Sequence, residues 1–573
     1  MIQSILPTNR DRWLAMAFVA LWAFLFLPNV RTNPNWYGDE GDWMEKSWTF
    51  IHGTPRVGPV INDFVFPFPY PPLYMLINGM LLRVFGDDIG VSRALGAVTA
   101  LGAAVILFWI GTRLRDRKFG FLCAAAFLVY GEANANFRWV RSHPMAGTLA
   151  LASVGFLIRY VQEKRLRDIV WAGVMCSLAT ATNYFTYPLI GAVMITAAVV
   201  NPVATKTPFL QTLKRRAMRA GIAAAAAGAY GTLFVAWYSA TRGWGHLMTQ
   251  VHLLKAVAGN EIQPTALGEL ERFAQNVWNL GFHTPTQGPP LPWSGHDWWL
   301  TVATVGFLFL PARNWRLRLW VPFWLLVLMY GVFKKLNNVP MFFYPATIFL
   351  PLMAVGFAGV LAWIEELAKR IASWSGDTLA TAVAILVLGG FGLQSAAGAW
   401  GHFHTRIDLW TQQSQPEAEA AMGFVNSHTT KDDFILAPKQ VYWLAQSERR
   451  SLLTFCARYE GIANDMPTAV LESHDAYWFD CRWQNAKYLV MASGVDTRGG
   501  RNLPMGIDLV YSSGLAGVPE RVEALLNAGW QPVYVGGSGK MAIVDMRGHK
   551  WPVVVNGEYL VLANPRLAIA GQK

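Results

Sequence analysis

The apolar windows of this chain constrain its fold more than any other feature. Each is close to the roughly 20 residues that a helix needs to cross a bilayer, where every backbone polar group must be satisfied internally. Hydrophobic residues make up 53% of the 573-residue chain and charged residues only 15%, which is unlike an ordinary soluble domain. The windows lie near residues 13–30, 91–112, 119–134, 145–161, 221–240, 299–312, 319–333, 340–364 and 378–399.

The segment from Ile169 to Val200 decides the topology. It is long for one span and short for two, and Asn183 and Pro188 interrupt it. Two helices here keep the clusters of Lys and Arg on the side of the N-terminus, whereas one span would move the last two clusters across the membrane. We therefore predict a polytopic α-helical protein of a bacterial-type inner or plasma membrane, with about 11 spanning helices and a cytoplasmic N-terminus.

The basic clusters also explain the net charge of +12. They alternate with apolar segments along the chain and do not line one continuous face, which is the pattern of membrane topology. We therefore predict membrane lipids as partners and no nucleic acid.

The predicted topology places four segments on the outer face: a first loop at 31–90, a short second loop at 135–144, a third loop at 241–298, and everything beyond residue 400. The tail alternates strand-like apolar runs with helical patterns, which predicts a small exterior α/β domain at 401–573 beside a transmembrane domain at 1–400. Cys456 and Cys481 in this tail could form a disulfide in an oxidising compartment, and their spacing fits no zinc site.

The first loop contains two apolar patterns at helical spacing. The stretch NPNWYGDEGDWMEKSWTFIHG (33–53) predicts a helix lying along the membrane surface, and four prolines precede a second surface helix that ends at Gly86. Asp39 and Glu40 stand at the start of the first helix. Helix capping and the helix dipole alone could explain these two carboxylates, but two interfacial helices that frame them favour a functional site.

The order of these motifs resembles the glycosyltransferase C (GT-C) superfamily, in particular the branch that holds dolichyl-phosphate-mannose protein mannosyltransferases and bacterial lipid A aminoarabinose transferases. The resemblance covers roughly residues 10–365, and Tyr70 stands where relatives usually carry His. The second loop, NANFRWVRSHP, lacks the Asp of many relatives. The matching motifs are Asp39-Glu40, Tyr70-Pro71-Pro72-Leu73-Tyr74, Phe85-Gly86, Arg93 and the late stretch NNVPMFFYPATIFLPLMAVG (337–356).

The resemblance implies an inverting, metal-independent transfer of a sugar from a polyprenyl-phosphate donor to an acceptor lipid, glycan or protein on the extracytoplasmic face, with no cofactor. Such a reaction needs a base for the acceptor hydroxyl and positive charge for the leaving phosphate. We expect Asp39 to be the base, Glu40 to orient the acceptor or donor, and Arg93 to belong to the site as the family's Arg at the start of the second span.

Basic residues on the predicted outer face are the candidates for binding phosphate. Arg forks match phosphate oxygens and Lys acts as a point charge. Lipid head groups or snorkelling could explain each basic residue singly. An aromatic belt could explain Tyr344, whose alternative role is to line the prenyl groove or sugar pocket. The candidates are Arg138, Arg141 and His143 in the second loop, and Lys334 and Lys335, which break the positive-inside pattern.

Two other classes of function remain open from the sequence. A transporter or lipid flippase would be expected to place charges near the bilayer midplane and often has symmetric halves, but here the charges of interest cluster at the outer interface. A non-catalytic relative could serve as a membrane scaffold or partner subunit, with the tail as its docking surface. The intact Asp39-Glu40 pair argues against this scaffold.

Overall fold

A computed structural model describes residues 9–32, 38–53, 56–58, 71–200, 209–245, 247–248, 266–282, 297–333, 344–371, 376–396, 415–453, 456, 459–460, 479–497, 503–504 and 517–568. Every structural statement below concerns these residues. Four helices are long and apolar enough to cross a bilayer, namely those at Ile89–Leu114, His143–Glu163, Phe209–Thr241 and Leu350–Arg370, and several shorter apolar helices accompany them.

Most helices before the C-terminal tail pack around one large apolar core, whereas the helices at Gly38–His52 and Leu73–Phe85 contribute to a smaller apolar cluster. The described helices before the tail are α1 (Asn9–Phe26), α2 (Gly38–His52), α3 (Leu73–Phe85), α4 (Ile89–Leu114), α5 (Arg117–Leu128), α6 (Gly131–Arg138), α7 (His143–Glu163), α8 (Leu166–Thr182), α9 (Pro188–Val199), α10 (Phe209–Arg242), α11 (Ala266–Phe282), α12 (Trp298–Gly306), α13 (Leu317–Phe333), α14 (Leu350–Ile371) and α15 (Gly376–Ala396).

Two of the predicted windows are each divided into two helices. Residues 169–200 form α8 and α9, because Asn183 ends α8 in an extended conformation and its side chain accepts a hydrogen bond from the Phe185 N–H. The window at 119–134, predicted as one span, is instead α5 followed by α6. The chain turns at Val129 and Tyr130, so the second loop begins with a short buried helix. The number of spans stays a prediction.

Helix α4 passes very close to the end of α6 at Gly96. A Cβ atom built on Gly96 would lie 1.9 Å from the Phe137 carbonyl oxygen, whereas on Gly102 of the same helix it would meet only Thr148 Cγ2, at 3.6 Å. We expect Gly96→Ala to lower the free energy of unfolding by about 1–3 kcal/mol, as overpacking does in well-packed cores.

Thermal unfolding in detergent, followed by tryptophan fluorescence, would measure this effect. Gly102→Ala is the matched control on the same helix and should leave the midpoint almost unchanged. Equal midpoints for Gly96→Ala and Gly102→Ala would contradict the close approach of α4 and α6.

The C-terminal tail folds around a six-stranded sheet with helices on both faces. Alternate residues of its strands point to opposite sides. Ile435 and Val490 pack with the helix at Gln415–Ser427, and Leu436 and Leu489 pack with the helix at Val518–Asn527. Its elements are α16 (Gln415–Ser427), β2 (Phe434–Leu436), β3 (Arg449–Ser451), β4 (Ala486–Ala492), β5 (Gly494–Asp496), β6 (Leu503–Pro504), α17 (Val518–Asn527), β7 (Gln531–Val535), β8 (Lys540–Met546), β9 (His549–Val555), β10 (Tyr559–Ala563) and α18 (Pro565–Ala568).

One strand of the six-stranded sheet comes from the first loop. The strand order is β1-β3-β2-β4-β10-β7, and β1 is Val57–Gly58, which pairs in parallel with β3. A second sheet has the order β6-β5-β9-β8. The first loop and the tail therefore share a sheet, which means that they lie on the same side of the helical domain.

Cys456 and Cys481, whose pairing the sequence leaves open, are not bonded to each other in the structure. Both cysteines are free, buried thiols in the apolar cluster between the sheet and α17. Burial raises the pKa of the Cys481 thiol to about 12. A buried, protonated thiol packs as a small apolar side chain, which accounts for both cysteines without a bond.

Candidate functional site

Glu40, at the start of α2, is held by a buried ion pair. The Arg93 guanidinium donates from Nε to Glu40 Oε1 at 2.9 Å and from Nη2 to Oε2 at 2.6 Å, and the two side chains are 0% and 1% exposed. The Val140 N–H also donates to Glu40 Oε1, at 3.0 Å. A bidentate Arg–carboxylate pair fixes both distance and orientation. The first turn of α2 is thereby joined to α4 and to the second loop.

Arg93 also reaches the end of the first apolar helix. Its Nη1 donates to the carbonyl oxygens of Val30 and Arg31, each at 3.3 Å. The last carbonyls of a helix and of the turn that follows it need donors from outside the helix. Arg93 therefore joins the turn after α1, the start of α2 and the start of α4 at one point.

Arg138 has a similar structural role on the other side of the same turn. It is fully buried, and its guanidinium donates to the carbonyl oxygens of Pro28 at 3.0 Å and Leu25 at 2.5 Å. Burial, and then the positive charge of Arg93, lower the pKa of Arg138 to about 9. The predicted phosphate ligand therefore stabilises the end of α1.

Arg141 and His143, the other predicted phosphate ligands, lie where the second loop enters α7. Both side chains are buried, and the Arg141 guanidinium lies 5.3 Å from the centre of the Trp139 ring. Asn183, at the break between α8 and α9, donates to Ser142 Oγ at 2.9 Å. The loop from Trp139 to His143 is therefore enclosed by α3, α7 and the α8–α9 break.

Tyr74 of α3 is a buried phenol. Burial raises the pKa of this phenol, the negative charge of Glu40 raises it further, and the positive charge of Arg141 opposes the shift. Its ring also meets Trp43 of α2 edge-on at 5.5 Å. Tyr74 stands in the motif Tyr70-Pro71-Pro72-Leu73-Tyr74, but the sequence did not identify it as a site residue.

Several predicted site residues lie wholly or partly outside the described part of the chain. Asp39 belongs to α2 and Tyr344 begins a 3-10 turn at Tyr344–Ile348, but the structure describes neither side chain, and Lys334 and Lys335 are not described at all. The turn packs on the first half of α7, where a Cβ atom on Gly147 would lie 2.3 Å from the Thr347 carbonyl oxygen. The turn that Tyr344 begins therefore lies against the first half of α7, the helix that starts at His143.

The structure places further acidic residues near the second loop. Glu132 is buried in the first turn of α6 and accepts a hydrogen bond from Asn136 Nδ2 at 3.0 Å. Asp297 caps α12 and accepts a hydrogen bond from the Tyr130 hydroxyl at 2.6 Å. Glu132 and Asp297 are therefore each hydrogen-bonded to a neighbouring side chain.

Comparison with solved structures identifies proteins of similar fold, whereas no protein-family model and no curated protein matches the sequence. ArnT from Cupriavidus metallidurans bound to undecaprenyl phosphate is 13% identical with a TM-score of 0.55, over 98% of this chain and 99% of that chain. The Archaeoglobus fulgidus oligosaccharyltransferase is 11% identical with a TM-score of 0.51, over 92% and 80%. The arabinofuranosyltransferase AftD from Mycobacteria is 14% identical with a TM-score of 0.50, over 96% and 40%.

Proposed function

We propose, from the premise that this integral membrane chain has the GT-C glycosyltransferase fold, that it transfers a sugar from a polyprenyl-phosphate donor to an acceptor on the extracytoplasmic face. The acceptor is a lipid, a glycan or a protein. The proposal includes about 11 spanning helices with a cytoplasmic N-terminus, interfacial α2 and α3, and an exterior C-terminal domain.

The buried Glu40–Arg93 pair is the observation that carries this proposal. Ion pairs removed from water are costly unless their geometry and additional hydrogen bonds compensate, and this pair has both. It fixes the backbone of α2 at the residue next to Asp39. We propose that Glu40 positions Asp39 through this anchor. This role replaces the expected one, in which Glu40 orients the acceptor or donor directly.

The proposed reaction is a single displacement. Asp39 accepts the proton of the acceptor hydroxyl, the hydroxyl oxygen bonds to the anomeric carbon of the sugar, and the bond from that carbon to the phosphate oxygen breaks. The polyprenyl phosphate leaves with the electron pair of that bond. Preorganised positive charge lowers the energy of this leaving group.

We propose that Arg141, Lys334 and Lys335 provide that charge, that His143 offers the phosphate a hydrogen-bond donor, and that Tyr344 lines the prenyl groove or sugar pocket. Arg141 is supported by its place at the entrance to α7, directly after Val140, whose N–H donates to Glu40. Arg138 is less suited to contact phosphate because its guanidinium donates to the carbonyls at the end of α1. The neighbour bound to undecaprenyl phosphate supports a prenyl-linked donor.

Native mass spectrometry of the gently purified protein tests donor binding. We expect a polyprenyl phosphate or a polyprenyl-phosphate sugar to co-purify with the wild-type chain and to be reduced at least about 10-fold in Arg141→Ala, as loss of a charge-assisted phosphate contact predicts. Arg482→Ala, which removes an exposed Arg from the C-terminal domain, is the matched control and should retain the lipid.

Absence of any prenyl lipid from the wild-type chain, with ordinary phospholipids retained, would contradict the proposal. It would favour the membrane scaffold, in which the C-terminal domain docks a partner protein. Equal retention of the prenyl lipid by Arg141→Ala and Arg482→Ala would instead contradict the assigned phosphate site.

A further inference from the structure

Helix α2 has a second polar face, which contacts the C-terminal domain. Asp42 and Glu45 are three residues apart and therefore lie on the same side of the helix. Glu40, two residues before Asp42, makes a separate anchor with Arg93 of the helical domain. Helix α2, which contains the proposed base Asp39, is thus held by both the helical domain and the C-terminal domain.

Asp42 makes two short contacts with the C-terminal domain. Lys439 Nζ donates to Asp42 Oδ2 and the Tyr442 hydroxyl donates to Oδ1, each at 2.5 Å. Burial raises the pKa of Asp42, but the positive charges of Lys439 and Lys46 outweigh it and lower the pKa below the ordinary value of 3.8. Asp42 is therefore an ionised, doubly hydrogen-bonded contact at neutral pH.

The backbones of α2 and the C-terminal domain also approach closely at this point. A Cβ atom built on Gly41 would lie 2.0 Å from the Lys439 carbonyl oxygen and 3.3 Å from the Tyr442 ring. Any residue larger than glycine would push α2 away from the domain. The position of α2 is therefore set by direct packing as well as by charge.

Glu45 extends the contact into a buried network of alternating charges. Arg450 Nη2 lies 3.0 Å from Glu45 Oε1, and Arg56 donates to both carboxylate oxygens, at 3.0 and 2.9 Å. Arg56 also pairs with Asp87 at 2.7 Å. Since Arg450 and Glu45 are 0% and 1% exposed, the network is shielded from solvent.

The strand β1 closes the same contact from the first loop. Val57 pairs with Arg450 and Gly58 with Ser451, and the Arg450 N–H donates to the Arg56 carbonyl oxygen at 3.1 Å. Residue 450 thus contributes its backbone to β1 and its side chain to Glu45 of α2. Strand β3 of the C-terminal domain therefore holds two parts of the segment that follows Asp39. It holds α2 through the Arg450 side chain and β1 through backbone pairing.

We propose that the C-terminal domain is a positioning element of the active site, and that Lys439, Tyr442 and Arg450 are positioning residues that hold α2 in its productive place. The inference rests on the proposed function, because it assigns α2 the base Asp39. A displacement of about 1 Å can lower a rate by as much as about 100-fold. Loss of these contacts should therefore lower kcat and leave the KM for the donor nearly unchanged.

The test compares Lys439→Met/Tyr442→Phe with the control Lys431→Met, which removes a largely exposed Lys paired with Glu448 in the same domain. Hydrogen exchange measured by mass spectrometry should show faster exchange in residues 38–52 of the double variant and unchanged exchange in α4. With polyprenyl-phosphate sugars as probes, kcat should fall about 10- to 100-fold, while the control behaves as wild type.

Two further variants keep the test independent of misfolding in the C-terminal domain. Asp42→Asn removes the same ion pair from the α2 side and should reproduce both effects. Lys439→Arg keeps the charge and should restore kcat toward the wild-type value.

Unchanged exchange in residues 38–52 would overturn the inference, whether or not the wild-type chain transfers sugar. Faster exchange with unchanged kcat would also overturn it, because the contact would then serve only to attach the domain. A wild-type chain that turns over no donor would overturn the proposed function instead, and that result is obtained before any variant is made.

Discussion

Asp39→Asn is expected to lower sugar transfer by about 10²- to 10⁴-fold, the usual contribution of a general base. Asn cannot accept the proton of the acceptor hydroxyl, whereas its size is nearly that of Asp and its cost to the first turn of α2 is only the dipole interaction of the lost charge, about 0.3–1 kcal/mol. The substitution therefore separates catalysis from helix stability at the start of α2. Release of polyprenyl phosphate from a polyprenyl-phosphate sugar, measured in vesicles with the acceptor present, gives the rate.

The control for Asp39→Asn is Glu366→Gln, which neutralises a half-exposed carboxylate on α14 that pairs with Arg115. Both variants should insert in the membrane and unfold at the wild-type midpoint. Transfer by Asp39→Asn at more than about one tenth of the wild-type rate would be too fast for loss of a general base. Such a rate would leave Asp39 with a role in the stability of α2 alone.

Arg93→Leu is expected to have the largest effect on stability. It leaves the Glu40 carboxylate buried without its bidentate partner, and breaking a buried ion pair from one side typically costs about 3–5 kcal/mol of unfolding free energy. Sugar transfer should fall as well, since the residue next to Asp39 loses its anchor. Denaturant unfolding in detergent, followed by tryptophan fluorescence, measures the loss of stability.

The matched control for Arg93→Leu is Arg31→Leu. Arg31 pairs with Asp88 and Glu419, but these side chains are about 40% exposed, and surface pairs contribute at most about 1 kcal/mol. The double variant Glu40→Leu/Arg93→Leu should be more stable than Arg93→Leu, because it leaves no unpaired buried charge. Equal losses for Arg93→Leu and Arg31→Leu would contradict the importance of the buried pair.

The local pattern of the chain predicted most of its helices. Apolar windows and basic clusters depend on near neighbours in the sequence, and the observed α4, α7 and α13 begin and end within a few residues of the predicted spans. The break at Asn183 was likewise indicated by an Asn and a Pro in an apolar segment. The turn at Val129–Tyr130 carries no such residue, which is why the window at 119–134 was predicted as one helix.

The partners of the site residues could not be predicted in the same way. Glu40 and Arg93 were both recognised as motif residues, but they are 53 positions apart and nothing in their spacing shows that they pair. Arg138 was predicted to bind phosphate from its residue type, whereas its observed role depends on where α1 ends. The contribution of β1 to the C-terminal sheet is two residues long and has no detectable pattern.

The roles of Asp42 and Glu45 were missed for a related reason. A helix lying along the membrane surface would expose to water the polar face that holds both carboxylates. The structure covers that face with the C-terminal domain, whose Arg450 and Lys439 lie about 400 positions later in the chain. Only the unusual density of acidic residues in GDEGDWMEK could have drawn attention to a partner.

Donor turnover by the purified wild-type chain tests the central claim most directly. The protein is reconstituted in vesicles with a panel of undecaprenyl-phosphate sugars and an extract of candidate acceptors, and lipids and products are followed by mass spectrometry. We expect one sugar donor to be consumed, with release of undecaprenyl phosphate and an acceptor heavier by that sugar, and we expect Asp39→Asn to lower both by about 10²- to 10⁴-fold. Retention of every donor by a correctly folded wild-type chain that binds the prenyl lipid would contradict this expectation.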